Sequence, residues 1–290
     1  MNTIRLFKIL SAVVTVVWFA GAPVSANEPR LVVVGGALTE IVYALGAERL
    51  LVGVDTTSQW PQAATTLPQV GYMRYLSAEG ILSLAPTLLL MTQSAGPPTV
   101  IEQIREAGVT IETVSEDNTP GGVVAKIREV AERLNEPEQG ERLAEQVQND
   151  FERLEQMTSK LSRRPKVLFM LAVSRGAPIV SGVGTPADAM IRLAGGDNAL
   201  TGFEGFKPVS REALIAAEPD VIVLTDLAAN ALGGVERIFE LPGIESTPAG
   251  KKRRAVTMDT LYLIGFGPRT GQAGLDLAMH LHAVDAAESR

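Results

Sequence analysis

The sequence predicts an α/β protein of two lobes with parallel sheets, joined by one long helix. Three observations predict it. A charged helix with a single apolar stripe lies near the middle of the chain, strands and helices alternate on both sides of it, and one helix–turn–strand unit occurs once in each half.

The helix is read from Glu138 to Leu161. Its apolar positions, Leu143, Val147, Phe151, Leu154, Met157 and Leu161, are spaced by four, four, three, three and four, one stripe at the helical period. Between them stand charged and amide side chains such as Gln148 and Glu152. Pro137 suits a first turn, and Arg163-Arg164-Pro165 closes the element. At about 1.5 Å per residue the rod is roughly 36 Å long, enough to cross a small lobe.

Taken in order, Met1–Ala26 reads as a secretory signal. Arg5 and Lys8 form a basic region, Ile9–Ala20 is apolar but short for a membrane span, and Val24-Ser25-Ala26 is a small-x-small cleavage site. The expected organisation is therefore a signal over 1–26, a first lobe over 27–136, the long helix over 137–162 and a second lobe over 163–290. Without the leader, 24 basic stand against 33 acidic residues, a charge of −9, which argues against nucleic acid or an anionic membrane as partner. The chain has no cysteine, so neither a disulfide nor a lipidated cysteine is available. A periplasmic monomer is the expected state.

In the first half the predicted strands are Leu31–Gly35, Leu50–Val54, Thr87–Met91 and Val109–Val114. The helices are Leu38–Leu45, Ser77–Leu84, Pro98–Ala107 and Gly121–Leu134. Gly35-Gly36 could cradle a phosphate, but with no G-x-G-x-x-G or G-K-[ST] nearby it reads as a tight turn. Gly71-Tyr72-Met73-Arg74-Tyr75 reads as a loop with two aromatics and a cation. In the second half, strands are expected at Lys166–Leu171, Asp220–Leu224 and Ala255–Met258, and helices at Thr185–Ala194, Ser210–Ala217 and from Pro268 to Val284. His280 and His282, two apart on that last helix, read as surface residues.

The internal repeat is Leu76–Thr92 (LSAEGILSLAPTLLLMT) on Val209–Thr225 (VSREALIAAEPDVIVLT), without gaps. Ser77/Ser210, Glu79/Glu212, Pro86/Pro219 and Thr92/Thr225 are identical pairs, each offset by 133 residues. A duplicated unit on either side of a strut points to two related, Rossmann-like lobes.

With these features the sequence resembles the periplasmic substrate-binding proteins of iron-chelate and vitamin B12 ABC importers, over essentially all of the chain after the leader. Val70–Gly80 (VGYMRYLSAEG), Arg175–Pro178 (RGAP), Gly184–Met190 (GTPADAM) and Leu263–Arg269 (LIGFGPR) are similar to the heme-binding branch. The resemblance implies the class III periplasmic binding protein architecture, heme as transported ligand, and Tyr72 as axial ligand of the heme iron. It also implies that Glu79 and Glu212 dock to arginines of a membrane permease dimer. Two carboxylates related by duplication suit a roughly symmetric partner.

The chemistry agrees with that assignment. Phenolate is a known ligand of heme iron, and a tyrosine whose free pKa is near 10 ligates at neutral pH only when iron and a nearby cation favour the phenolate. Arg74 can supply that cation or hydrogen-bond the phenolate oxygen. Met73 lies between the two as a further heme contact, and Tyr75 either stacks on the porphyrin or packs. Relatives that carry a histidine before the Gly-Ala-Pro segment have no counterpart here, where Val173-Ser174-Arg175-Gly176 stands. That favours five-coordinate tyrosinate iron, with Arg175 a candidate propionate partner. A siderophore or corrinoid is the alternative ligand. An enzyme, such as a cleft hydrolase, is not expected, since the chain lacks G-x-S-x-G, H-E-x-x-H and cysteine.

Overall fold

A computed structural model describes residues 28–174 and 177–282; the expected leader lies outside the described residues. The first lobe runs β1 (Leu31–Val34), α1 (Gly36–Ala44), β2 (Leu51–Val54), β3 (Gly71–Tyr72), β4 (Tyr75–Leu76), α2 (Ala78–Leu82), β5 (Leu88–Thr92), α3 (Pro98–Glu106), β6 (Thr110–Val114) and α4 (Pro120–Arg133). Its sheet is parallel throughout, in the order β2-β1-β5-β6. Every residue of β1 is buried, as a strand covered on both faces requires.

The long helix α5 spans Pro137–Thr158. It starts one residue before the predicted start and stops three short of Leu161. There Thr158 turns its hydroxyl back onto the carbonyl of Leu154 at 2.9 Å, and Leu161 N closes a tight turn on Thr158 O. The stripe faces inward as its spacing requires, with Val147, Phe151 and Leu154 buried and Gln148 and Glu152 exposed.

The second lobe contains β7 (Lys166–Ser174), β8 (Ala177–Ser181), α6 (Pro186–Leu193), β9 (Asp197–Asn198), β10 (Phe206–Pro208), α7 (Arg211–Ala217), β11 (Val221–Thr225), α8 (Asp226–Leu232), α9 (Pro248–Lys251), β12 (Ala255–Met258), α10 (Thr260–Ile264) and α11 (Thr270–His282). Its sheet, β10-β8-β7-β11-β12 with β9 on β7, is parallel in its β7, β11 and β12 core. The β8 and β10 edge is antiparallel, because β8 follows β7 directly and a short reversal permits no other pairing.

The duplicated unit is duplicated in backbone as well as in sequence. Ser77 and Ser210 each cap a short helix, accepting from Gly80 N and Ala213 N. Ala85 and Glu218, again 133 apart, both adopt the left-handed conformation, at φ 47° and 46°, just before the matching prolines. Strands β5 and β11 then occupy equivalent spans.

The strut is clamped from both lobes. Gly140 lets α4 approach so closely that an added methyl would lie 2.3 Å from Ala131 Cβ. Gly274 does the same for α11, 2.4 Å from Leu154. One buried cluster runs through all three helices, from Val123 and Ile127 across Phe151 and Leu154 to Leu277. This packing also corrects His282: α11 lies on α6, so His282 is buried, with Nε2 at 3.3 Å from Ala194 O, while His280 is exposed.

Away from the strut, the stretch from Leu261 to Arg269 lies against the first lobe. Arg269 donates through Nε and Nη2 to both carboxylate oxygens of Glu40 on α1. Its guanidinium lies over Trp60 at 4.7 Å and over Tyr262 at 4.9 Å. Lys126 of α4 donates to Phe266 O at 3.1 Å. Burial pushes the Glu40 carboxyl up and the Lys126 ammonium down, so both charges are held at a desolvation cost that nearby opposite charges counter only in part.

Two stability measurements check this account. Phe151→Asp should cost about 4 kcal/mol by placing an unpaired carboxylate in the shared core, whereas Gln148→Asp should change stability by less than about 0.5 kcal/mol. Equal melting temperatures would put the helix phase wrong. Arg269→Leu should cost about 3 kcal/mol at pH 7, because it leaves Glu40 buried and alone. With its partner gone, the folded-state pKa of Glu40 lies further above the unfolded value of about 4.5, so the folded state holds the extra proton. The deficit against the unaltered protein should therefore grow as pH rises from 4.5 and shrink on acidification; a deficit that does not vary with pH contradicts the pairing.

Candidate ligand-binding cleft

The site is built at the carboxyl ends of the first lobe's strands, where open α/β sheets bind ligands. After β2 the chain meets Asp55, fully buried, whose carboxylate accepts from Gly35 N at 2.9 Å, Thr57 N at 3.0 Å, Thr57 Oγ1 at 2.7 Å and Ser58 Oγ at 3.0 Å. Gly36 N in turn donates to Thr57 Oγ1 at 3.0 Å. The amides of the Gly-Gly turn are thus consumed internally, which makes it a tight turn rather than a phosphate cradle.

Next in the chain, Thr56 N donates to Gly71 O at 2.9 Å and fixes the foot of a small hairpin. The predicted loop over residues 71–75 is in fact the β3–β4 hairpin, with Met73 and Arg74 as its turn and Tyr72 paired with Tyr75. Gly71, at φ +101°, supplies the backbone twist at its base, where an added methyl would sit 3.2 Å from Tyr75 O. A second loop grips the other side: Gly96 N donates to Met73 O at 2.9 Å and Leu76 N to Gly96 O at 3.0 Å. Backbone bonds from two strand ends therefore hold the hairpin still.

Directly opposed residues of an antiparallel pair share one face. Tyr72 and Tyr75 do so, their ring centroids 6.1 Å apart and tilted by 33°. They are 42% and 78% exposed, a large apolar area to leave in water. Met73 turns the other way and packs on the first-lobe cluster of Leu76, Ile81 and Met91. Arg74 is exposed and makes no ion pair or hydrogen bond among the described residues. The hairpin thus presents two phenols and one cation to solvent.

The other two tyrosines are poor candidates for an anionic ligand. Burial pushes the phenols of Tyr43 and Tyr262 up, and Tyr262 already donates to Asp276 Oδ2 at 2.7 Å. Among the described residues no group of three His, Cys, Asp or Glu is gathered as for a metal ion.

The remaining sequence candidates divide. Arg175 and Gly176, between Ser174 and Ala177, lie outside the described residues. The Gly184–Met190 motif braces the second lobe: Thr185 caps α6, and the buried Asp188 accepts from Gly184 N, Arg192 and Asn198. Glu79 and Glu212 stand exposed in the first turns of α2 and α7. The Glu212 carboxyl is held below its usual range by its own amide and the Ser210 hydroxyl.

Sequence reasoning did not single out Trp60 or the Glu40–Arg269 pair as site features. Trp60 is 49% exposed and stacked on Arg269. Its proximity to Pro61 in a long loop was the only available signal, and a partner more than 200 residues away leaves no local pattern. Two concavities, of 230 and 340 Å³, lie elsewhere, one beside Pro178 and Leu214 and the other along the strut beside Gln148 and Arg192. Neither includes the hairpin, whose chemistry marks the site more clearly than any enclosed volume.

A solved structure of the periplasmic heme-binding protein BhuT in complex with two hemes superposes with a TM-score of 0.85 at 42% identity, covering 89% of this chain and 99% of that one. The uncharacterized ABC transporter substrate-binding lipoprotein YvrC of Bacillus subtilis is 26% identical over 248 residues, 84% of this chain and 77% of its own length. A vitamin B12-binding protein of Vibrio parahaemolyticus is 25% identical over 264 residues, 89% of this chain and 92% of its own. The family model described as periplasmic binding protein matches residues 31–261, from the first strand of one lobe to the interface segment of the other. By that match the chain belongs to the periplasmic binding protein family.

Proposed function

We propose that this protein captures heme between its lobes through a Tyr72 phenolate and delivers it to an ABC permease dimer in the inner membrane. The observation that carries the reading is the fixed hairpin, which exposes Tyr72, Arg74 and Tyr75 together at the carboxyl edge of the first sheet. An exposed phenol loses its proton to ferric iron more readily than a buried one, because the phenolate there keeps partial solvation. Arg74, two residues on, adds a positive charge that favours the same ionised form or pairs with a propionate. Tyr75 offers a ring beside the first for the macrocycle to cover. Arg175 remains the proposed propionate partner from the second lobe.

The heme-binding structure at 42% identity supports this cargo over a corrinoid, for which the relative is 25% identical. Delivery to a permease rests on the exposed, duplicated Glu79 and Glu212. Both also sit in the first turns of their helices, where the positive end of the helix favours a carboxylate. The leader expected over residues 1–26 would direct the chain to the periplasm.

Hemin titration followed by visible spectroscopy tests the ligand. The expected product is high-spin ferric heme with a tyrosinate signature. Tyr72→Phe should abolish that signature with the melting temperature unchanged, and Tyr75→Phe should move it little. A spectrum that survives Tyr72→Phe removes Tyr72 as ligand, and one lost only in Tyr75→Phe moves the ligand three residues on. A corrinoid bound where hemin is refused selects the other cargo.

Delivery is checked separately. Changing Glu79 and Glu212 together to lysine should leave hemin affinity unchanged but set like charges against the permease arginines, so that transport with the partner transporter falls. Each single reversal should do part of this. Transport at the normal rate in the double variant makes both residues helix-start carboxylates and nothing more.

A further inference from the structure

Leu227 is a leucine left 61% exposed two residues after the fully buried strand β11. A single exposed leucine is ordinary on a protein surface. Its placement is not. The residues on either side are pinned: the Thr225 hydroxyl donates to Leu171 O at 2.9 Å and accepts from Ala228 N at 3.0 Å, and the Asp226 carboxylate accepts from Thr260 N at 3.0 Å and from the Thr260 hydroxyl. The first turn of α8 is therefore held from two elements, and the exposure is a fixed property of the fold.

That turn lies at the edge of the second lobe that meets the first. Thr260, which holds Asp226, is followed by Leu261, and an added methyl on Gly36 of the first lobe would lie 2.7 Å from Leu261 Cδ1. The duplication says which part of the first lobe corresponds. At the offset of 133 residues, Leu227 is the counterpart of Ser94, two residues before the Gly96 whose amide and carbonyl grip the tyrosine hairpin. In the first lobe the second residue after the duplicated strand is polar and engaged, with Ser94 N donating to Glu116 at 2.9 Å and its hydroxyl donating to the same carboxylate at 3.3 Å. In the second lobe the same position offers a bare branched side chain.

We propose that Leu227 is the second lobe's contact for the apolar face of the bound tetrapyrrole, opposite the tyrosine hairpin. This deepens the heme reading and rests on it. Ile215, a large aliphatic side chain also left exposed, sits on α7, the helix that leads into β11 rather than out of it, and serves as the control.

Hemin is titrated into the purified protein and into Leu227→Ser, Leu227→Met and Ile215→Ser. Covering one leucine side chain is expected to be worth about a tenfold change in affinity. Leu227→Ser should therefore weaken hemin about tenfold while the bound spectrum keeps its tyrosinate signature, because the iron ligand is on the other lobe. Leu227→Met should restore most of the affinity, and Ile215→Ser should stay within about twofold of the unaltered protein. Unchanged affinity in Leu227→Ser, with hemin still bound by the unaltered protein, overturns the role of Leu227 alone. Hemin refused by the unaltered protein overturns the heme reading and this contact with it.

Discussion

The molecule depends on how its two lobes are fixed to each other, and the Glu40–Arg269 pair carries much of that burden. A buried carboxylate on the first lobe is matched by a guanidinium from the second, donated through two nitrogens and flanked by the rings of Trp60 and Tyr262. A pair of this kind stabilises little in comparison with apolar packing of equal volume, but it is costly to break and strict about geometry. Lys126 on Phe266 O adds a second polar bolt from a different helix. On the opposite side, α5 is gripped by α4 and α11 through glycine contacts that tolerate no methyl group. Contacts along two lines oppose a wide swing of one lobe against the other.

That constraint explains why the candidate site is built as it is. A hairpin of six residues would be marginal by itself. Here it is held by backbone bonds from the turn after β2 and the turn after β5, which present Tyr72 and Tyr75 on one face and leave Met73 partly buried behind them. Rigid walls suit a rigid ligand, because neither partner gives up much conformational freedom on binding. A flat macrocycle with one metal and two carboxylates at an edge calls for a ligand atom, a cation and apolar cover, and those are the chemistries that Tyr72, Arg74 and Tyr75 offer.

Much of the architecture was legible in the sequence because its signals are local or periodic. The strut's stripe, the serine caps and the repeated strand with its preceding proline all report on neighbours within a few turns. The repeat reached further than its sequence identity promised, since even the left-handed residues Ala85 and Glu218 coincide although neither is glycine. Two-residue strands carry too few positions to show alternation, so the β3–β4 hairpin read as a loop. The antiparallel edge of the second sheet, Trp60 on Arg269, and the burial of His282 beneath α6 all arise from contacts between distant segments. Tyr72 itself was found through a motif and a resemblance; its own type and spacing favour a packed aromatic.

The central claim is that the first-lobe hairpin holds the cargo metal in the gap between the lobes. Crystals of the hemin complex measured at the iron absorption edge test it most directly, because the anomalous peak locates the metal independently of any fitted side chain. The account predicts an iron peak within bonding distance of the Tyr72 oxygen, with the macrocycle between the hairpin and the second lobe. An iron peak on the outer surface of either lobe, or within the gap but beyond reach of Tyr72, would contradict it.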